Sequence, residues 1–335
     1  MSSNSPDIKS VPTNIITGFL GVGKTSAILH LLKSKPDNER WAVLVNEFGE
    51  IGIDGALVQG QRTEEQGVFI REVPGGCMCC AAGLPMQIAL NQLLAKARPD
   101  RVLIEPTGLG HPKEVLQVLS AEYYQDALSI HKTLTLVDAR KLTDPRYTEH
   151  ETFNQQIAIG DLIIGNKQDL YNDEDKARLA NYVEKIGQAH AEVLYTQQGE
   201  IEFSLLDGST KGFSFASKSH HHHHHDSKPL AADLPIPDQG FLFAQNEGEG
   251  FQSAGWRFSP DKVFNYQKLF ALLTGLCVER MKAVFITDEG VVGYNLTSDA
   301  LTEIQLDDCL ESRIEVISDK IDVSLEAQLL TCLSD

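Results

Sequence analysis

Gly18-Phe19-Leu20-Gly21-Val22-Gly23-Lys24-Thr25, followed by Ser26, has the spacing G-x-x-x-x-G-K-[ST]. Each position has a physical task. The glycines let successive backbone N–H groups turn toward one anion, and the helix that follows offers its positive end to phosphate. The Lys24 ammonium can reach β and γ phosphates, and the Thr25 hydroxyl can ligate Mg²⁺. The bland alternative is a Gly-rich turn that matches by chance. It leaves unexplained the apolar run before the loop and the helical pattern after it.

A phosphate loop selects neither a base nor a reaction. Asn166-Lys167-Gln168-Asp169 narrows the choice, because it follows another apolar run. The Asp169 carboxylate can accept from both guanine N1–H and the exocyclic amine, a donor pair adenine lacks. The order of motifs points to GTP. Between them, Glu105-Pro106-Thr107-Gly108 closes a third run. Glu105 can hold Mg²⁺ directly or through water, and the Gly108 N–H can contact the γ-phosphate and register its loss. The alternative is a surface Glu in a helix-start turn. Lys24, Thr25, Glu105 and Gly108 are therefore the candidate catalytic residues. Gly18 through Ser26, with Asn166, Lys167 and Asp169, are the candidate nucleotide-binding residues. His111, close behind Gly108, is a candidate for facing the γ-phosphate or a metal.

Three of the six cysteines fall within four positions, in Gly75-Gly76-Cys77-Met78-Cys79-Cys80. In an extended chain Cys77 and Cys79 project to one side and Cys80 to the other. A turn after Gly75-Gly76 would gather all three thiolates. Thiolates suit Zn²⁺ and other borderline or soft metals. Three sulfurs leave one tetrahedral position for a carboxylate, an imidazole or water, and an incomplete ligand set suits transfer better than storage. Asn46-Glu47-Phe48-Gly49-Glu50 follows the apolar run Trp41–Val45. Glu50 is either the missing carboxylate or a solvated loop acid, and the residue types leave both readings open. No residue stands out as the one that orients an attacking water, although Glu47 is a candidate. His220, His221, His222, His223, His224 and His225 form a run of imidazoles that can bind divalent metal at many registers. Its place inside the chain suits a metal-collecting tether better than an affinity tag.

These residues must be positioned by a fold, and the chain is long enough to supply one. Its 335 residues suggest two domains, and 42% hydrophobic against 23% charged residues can bury real cores. With 29 Lys+Arg against 47 Asp+Glu the formal net charge is −18, which argues against nucleic acid as a partner. No apolar run approaches the ~18 residues of a membrane span, and the first ten residues lack the features of a secretory signal. The expected location is the cytoplasm, where clustered cysteines serve as ligands or catalysts. Cys277, Cys309 and Cys332 stand apart and are expected to be small buried hydrophobes. His30 and His190 are expected to be structural or solvated, and Trp41 and Trp256 to lie in a core or an interface.

Strand-like runs at 14–17, 41–46, 102–105, 134–138 and 162–166 alternate with helical stretches from Thr25, at 84–97 and at 173–186. This predicts an α/β fold, a parallel sheet with helices on both faces that binds ligand beyond its strand ends. A Gly, Ser, Pro and His-rich stretch at 207–240 reads as a linker. It divides a domain at 1–206 from a smaller α+β domain at 241–335. In the latter, 251–258, 281–287 and 291–296 read as strands, 261–276 as a helix, and Asp288-Glu289-Gly290 as a hairpin turn.

Taken together, residues 18–25, 46–54, 77–80, 105–108 and 166–169 resemble the CobW family of P-loop GTPases, the zinc-regulated or metal-chaperone GTPases. The likeness extends to the histidine-rich linker and the smaller C-terminal domain. It implies a GTPase of low intrinsic activity, with Mg²⁺ at the nucleotide. It also implies Zn²⁺ or Co²⁺ bound between the switches by Cys77, Cys79 and Cys80, with Glu50 the carboxylate carried over by position. Some members have a further carboxylate just before the Asn of that loop. Val45 stands there and cannot ligate, so the site rests more on sulfur or keeps an open position. The implied partner is a client metalloprotein, and a homo-oligomer is open. Clients in the family belong to cobalamin synthesis, nitrile hydratase maturation or zinc supply, and nothing in these residues separates them. A different class of protein, a metal buffer or sensor with a structural or regulatory nucleotide site, would use the same thiols and imidazoles.

Overall fold

The computed structural model describes residues 8–46, 66–73, 84–110, 112–211, 235–248, 251–297, 299–306 and 309–334. The chain divides into two compact units.

The first unit runs β1 (Val11–Gly18), α1 (Lys24–Lys33), β2 (Trp41–Asn46), β3 (Val68–Val73), α2 (Leu84–Ala97), β4 (Arg101–Glu105) and α3 (Pro112–Leu119). It continues through β5 (Leu128–Ile130), β6 (Leu134–Val137), α4 (Pro145–Thr148), α5 (Glu151–Ile159), β7 (Leu162–Gly165), α6 (Asp173–Ile186) and β8 (Glu192–Tyr195). Among the described residues the strands form one eight-stranded sheet in the order β3-β2-β4-β1-β6-β7-β8, with β5 also on β1. Every pairing is parallel.

The central strands are largely apolar because both of their faces are covered, with Thr13, Asn14 and Thr17 as buried polar positions of β1 and Thr135 of β6. Ile15, Ala42, Leu44, Val102 and Ile104 join Leu90 and Leu94 of α2 and Val115, Leu116 and Leu119 of α3 in one core. The alternate residues Ile16, Val43 and Leu103 are equally buried on the opposite face. There α1, whose Ala27, Ile28 and Leu31 are buried, runs against β1 and β4. Trp41 lies in the core, its ring 5.6 Å from that of Phe203. Helix α6 begins at a capping box. Asn172 Oδ1 accepts from the Asp175 N–H at 3.1 Å and Asp175 Oδ2 from the Asn172 N–H at 2.9 Å.

β5 and β6 lie end to end along the same edge of β1, opposite residues 11–13 and 16–18. The break between them is filled by polar groups. Asn14 Nδ2 donates to the carbonyls of Lys132 (3.0 Å) and Leu206 (2.8 Å), and Asp161 Oδ2 accepts from the Thr133 N–H (2.9 Å). Asp207 and Lys211, which composition places in the linker, are tied to this unit. Asp207 meets Arg101 at 2.6 Å, and the Lys211 N–H donates to Asp161 at 2.9 Å. His190, exposed, also contacts Asp161.

The second unit contains β9 (Phe241–Gly248), β10 (Phe251–Phe258), α7 (Tyr266–Thr274), β11 (Arg280–Thr287), β12 (Gly290–Thr297), β13 (Leu301–Leu306), β14 (Ser312–Ser318) and α8 (Leu325–Thr331). Its strands form a six-stranded sheet in the order β13-β12-β11-β14-β10-β9, antiparallel at each pairing. Trp256, Phe258, Phe264, Phe285 and Tyr294 pack with Leu269, Leu273 and Leu329 of the helices. Helix α7 is shorter than the expected 261–276 for a definite reason. Phe264 bridges Thr287 and Leu333, and Asn265 caps the helix by accepting from the Lys268 N–H at 3.0 Å. Of the isolated cysteines, Cys332 is buried as expected and Cys309 is half-buried. Cys277 is exposed, contrary to expectation, because it lies past Gly275 in the connection from α7 to β11.

Candidate functional site

In a parallel sheet all strands present their carboxyl ends at one edge, and the loops that follow them share that edge. The loop after β1 is shaped by its glycines. Gly18 has φ +144°, and a Cβ there would stand 2.4 Å from the Leu136 carbonyl oxygen. Gly23, which begins α1, has φ +98°, and its Cβ would meet Asn166 Nδ2 at 2.4 Å. Both positions exclude a side chain by conformation and by space. Phe19 anchors the loop. Its ring packs edge-on against Tyr147 at 5.1 Å, His150 at 4.8 Å and Phe153 at 5.8 Å. Lys24 is only 5% exposed and folds back into the loop, donating to the carbonyls of Gly18 (2.9 Å) and Phe19 (3.1 Å).

The loop after β4 meets this one. Because β4 lies beside β1, the Thr25 hydroxyl reaches Glu105 Oε1 at 3.2 Å. Glu105 is 2% exposed. Gly108 fits against the first loop so closely that a Cβ would be 2.9 Å from Leu20 Cδ2 and 3.2 Å from Lys24 Nζ. The Thr107 hydroxyl is buried here with no hydrogen-bond partner among the described residues. A buried orphan of this kind fits a cradle whose ligand completes it. A buried carboxylate beside a hydroxyl could hold a divalent cation, and an ammonium with a loop of N–H groups could hold phosphate.

The loop after β7 completes the group. Asn166 is 2% exposed. Its Nδ2 donates to the Val22 carbonyl at 2.8 Å, and its Oδ1 accepts from the Gly199 N–H at 3.1 Å. Lys167 has φ +64°, and its ammonium stands 3.9 Å from the buried Asp138 carboxylate. Asp169 is exposed. Ser26 is also exposed.

Two contributors are invisible to motif reading. One is Gly199, in the loop after β8, where a Cβ would lie 2.6 Å from the Ala27 nitrogen. The other is Tyr171. Its hydroxyl stands 2.6 Å from the Asn166 carbonyl and 3.2 Å from that of Val137, and accepts from the Ala139 N–H at 2.9 Å. Burial raises the pKa of this phenol well above its ordinary value, so it stays protonated and can donate. Gly199 is recoverable from the rule that loops follow strand ends, once β8 is recognised as a strand.

Glu47, Glu50, Cys77, Cys79, Cys80, His111 and the run His220 to His225 lie outside the described residues. Among the described residues no group of three or more His, Cys, Asp or Glu side chains could hold a metal. Among them, too, no helix is long and apolar enough to cross a membrane.

The sequence model of the CobW/HypB/UreG nucleotide-binding domain matches residues 12–194. The chain belongs to the CobW/HypB/UreG family. This family member is 43% identical over 310 residues to the zinc chaperone YeiR of Escherichia coli K12, covering 91% of this chain and 92% of YeiR. To the zinc chaperone CobW of Pseudomonas aeruginosa it is 30% identical over 227 residues, 60% of each chain. Among solved structures it is similar to the Zn(II)-bound YjiA GTPase of E. coli, with 19% identity, TM-score 0.46, and coverage of 97% of this chain and 99% of YjiA. The matched CobW/HypB/UreG span encloses the loops after β1, β4 and β7. Gly199 lies just past its end.

Proposed function

We propose that the chain is a GTP-hydrolysing metallochaperone that couples its nucleotide state to the binding and delivery of Zn²⁺, or of Co²⁺, to a client metalloprotein. One observation carries this reading. Lys24, Thr25, Glu105 and Gly108 meet at a single sheet edge, in a chain 43% identical to a zinc chaperone over nearly its whole length. Asn166 braces the phosphate loop, and Asp169 reads guanine. Lys24 holds phosphate charge, with Gly108 against the γ position. Thr25 and Glu105 would hold Mg²⁺, which when bound neutralises charge between the β and γ phosphates. The cargo metal belongs to Cys77, Cys79, Cys80 and Glu50, and the histidine run at 220–225 concentrates it nearby. In this reading 1–206 is the GTPase domain, to which Asp207 and Lys211 are also fastened, the tether lies in the remainder of 207–240, and 241–335 is the smaller α+β domain.

The buffer alternative keeps the thiols and imidazoles but removes the coupling. Zn²⁺ titrations with and without a non-hydrolysable GTP analogue separate the two. Coupling requires each ligand to change the other's affinity by the same factor, typically about 5–150-fold. Equal Zn²⁺ affinities in both titrations would overturn the switch in favour of the buffer. Lys24→Ala should abolish GTP turnover and leave Zn²⁺ binding intact. Wild-type turnover in that variant would remove Lys24 from the chemistry.

A further inference from the structure

We propose that Gln156 is a positioning residue that holds the Gly108 turn in the orientation that meets the γ-phosphate. The proposal rests on the GTPase reading and adds to it a residue that touches no nucleotide.

Gln156 sits in α5 and is 1% exposed. A side-chain amide in a helix core is costly unless its polar atoms are paired. Its Nε2 donates to the Gly108 carbonyl at 2.9 Å, 48 positions away in sequence. The amide can be placed only this way round, because Oε1 in that position would set two acceptors against each other. The helix is fixed at the same residue from the other side, where the Gln156 carbonyl accepts from Thr135 Oγ1 at 2.8 Å.

The same helix also supports the phosphate loop. Phe153, three residues before Gln156, packs on Phe19. One rigid element therefore touches the loop after β1 through an apolar ring and the loop after β4 through a hydrogen bond. The two contacts differ in kind. Phe19 is wedged among three rings, whereas the Gly108 turn is held by a directional bond to its carbonyl. The Gly108 carbonyl lies in the planar peptide that joins Gly108 to Leu109, so the bond fixes the peptide directly after the one that carries the Gly108 N–H. Losing the Nε2 contact loosens the peptide after Gly108, whose turn then keeps, among the described residues, only the Gly110 N–H to Thr107 carbonyl bond, and leaves the Phe19 contacts in place.

Gln156 Oε1 is buried with no partner among the described residues, as are Thr152 Oγ1 one helical turn earlier and Thr17 Oγ1 on β1. Thr17 is the register partner of Thr135, so these acceptors line the space between α5 and the ends of β1 and β6. Such a lining suits an ordered water.

The test compares nucleotides that differ only at the γ position. Affinities for GDP and for a non-hydrolysable GTP analogue are measured in the full chain and in Gln156→Met and Gln156→Glu. Methionine keeps the volume and removes the bond, while glutamate turns a carboxylate on the carbonyl. The analogue affinity should fall about tenfold in the Met variant, as expected for one hydrogen bond with its partner left buried, and further in the Glu variant. GDP affinity should stay within about twofold. Hydrogen exchange in the wild type provides a second readout, in which the segment holding Gly108 should be protected more by the analogue than by GDP. An unchanged ratio of affinities, an equal loss for both nucleotides, or equal protection would overturn the role of Gln156 and leave the GTPase reading standing. Failure of the wild type to bind either nucleotide would overturn both. Should the Met variant fail to fold, the ratio of affinities in the Glu variant decides.

Discussion

Thr25 Oγ1 donates to Glu105 Oε1 across 3.2 Å, joining residues 80 positions apart. The contact exists because β1 and β4 are neighbours in register, with Ile15 opposite Ile104. A hydroxyl already aimed at a carboxylate needs little rearrangement to share a divalent ion with it.

Glu105→Gln should therefore raise the Mg²⁺ concentration needed for half-maximal GTP turnover by about 10–100-fold, the usual cost of weakening one supporting group at a metal. GDP binding without Mg²⁺ should change little. Thr25→Ala should act in the same direction, and the double variant should be no worse than the poorer single one, since both groups serve one ion. An Mg²⁺ titration of steady-state turnover checks this, and additive losses would separate the two residues.

Asp169 is exposed at the end of its loop, while Asn166 is buried and structural in its contacts. Asp169→Asn replaces two acceptor oxygens with an acceptor and a donor. Guanine then meets an unfavourable donor, whereas xanthine, with a carbonyl in place of the amine, meets a favourable one. GTP affinity should fall by about 100-fold, with xanthosine triphosphate now preferred, a range expected when a site loses a polar match. Competition binding with the two triphosphates reads this directly. Asn166→Ala should instead weaken both equally.

In the second unit, Glu311 accepts from Arg257 Nε at 2.6 Å and from Arg313 Nε at 2.8 Å. Burial alone would push its pKa up. The hydrogen bonds and charges of the two guanidiniums outweigh that and hold it below the ordinary 4.5. The folded pKa is therefore depressed. Its contribution to stability is complete above the unfolded pKa and disappears as pH falls through the folded value. Glu311→Gln should cost about 1–3 kcal/mol at pH 7, and this difference should shrink below about pH 4.5. Denaturant unfolding of both proteins across that range measures it, and a gap that stays constant with pH would show that shape, not charge, carries the cost.

The parts of the molecule that are legible in the sequence are those set by neighbours along the chain. Trp41–Asn46 has the bounds expected of it because continuous apolar character marks a covered strand, and Phe251–Phe258 has them because its aromatic residues recur although Gln252, Ser253 and Arg257 interrupt them. Asp173–Ile186 does so because Asn172 and Asp175 cap it locally. The spacing of Gly18, Gly23, Lys24 and Thr25 announces the phosphate loop for the same reason, since backbone conformation and helix start are local matters. The edge strands were not legible. Residues 192–195 alternate between exposed and half-buried, and only the strand β7 beside them makes them a strand.

Tertiary structure alone decided which loops meet. The residue types at 25, 105, 108 and 166 suggest roles, but β1 lies between β4 and β6 by an order of pairing that no local pattern encodes. That order sets Thr25 against Glu105 and Gly108 against Lys24. It also sets Gly199, Tyr171 and Gln156, which no motif marks, behind the site. Gly23 shows both levels in one residue. The motif asks for its backbone freedom, and the approach of Asn166 Nδ2 to 2.4 Å from where a Cβ would stand forbids any side chain there. The first requirement is written in consecutive residues, whereas the second arises only when strands distant in sequence are brought side by side by burying both faces of one sheet.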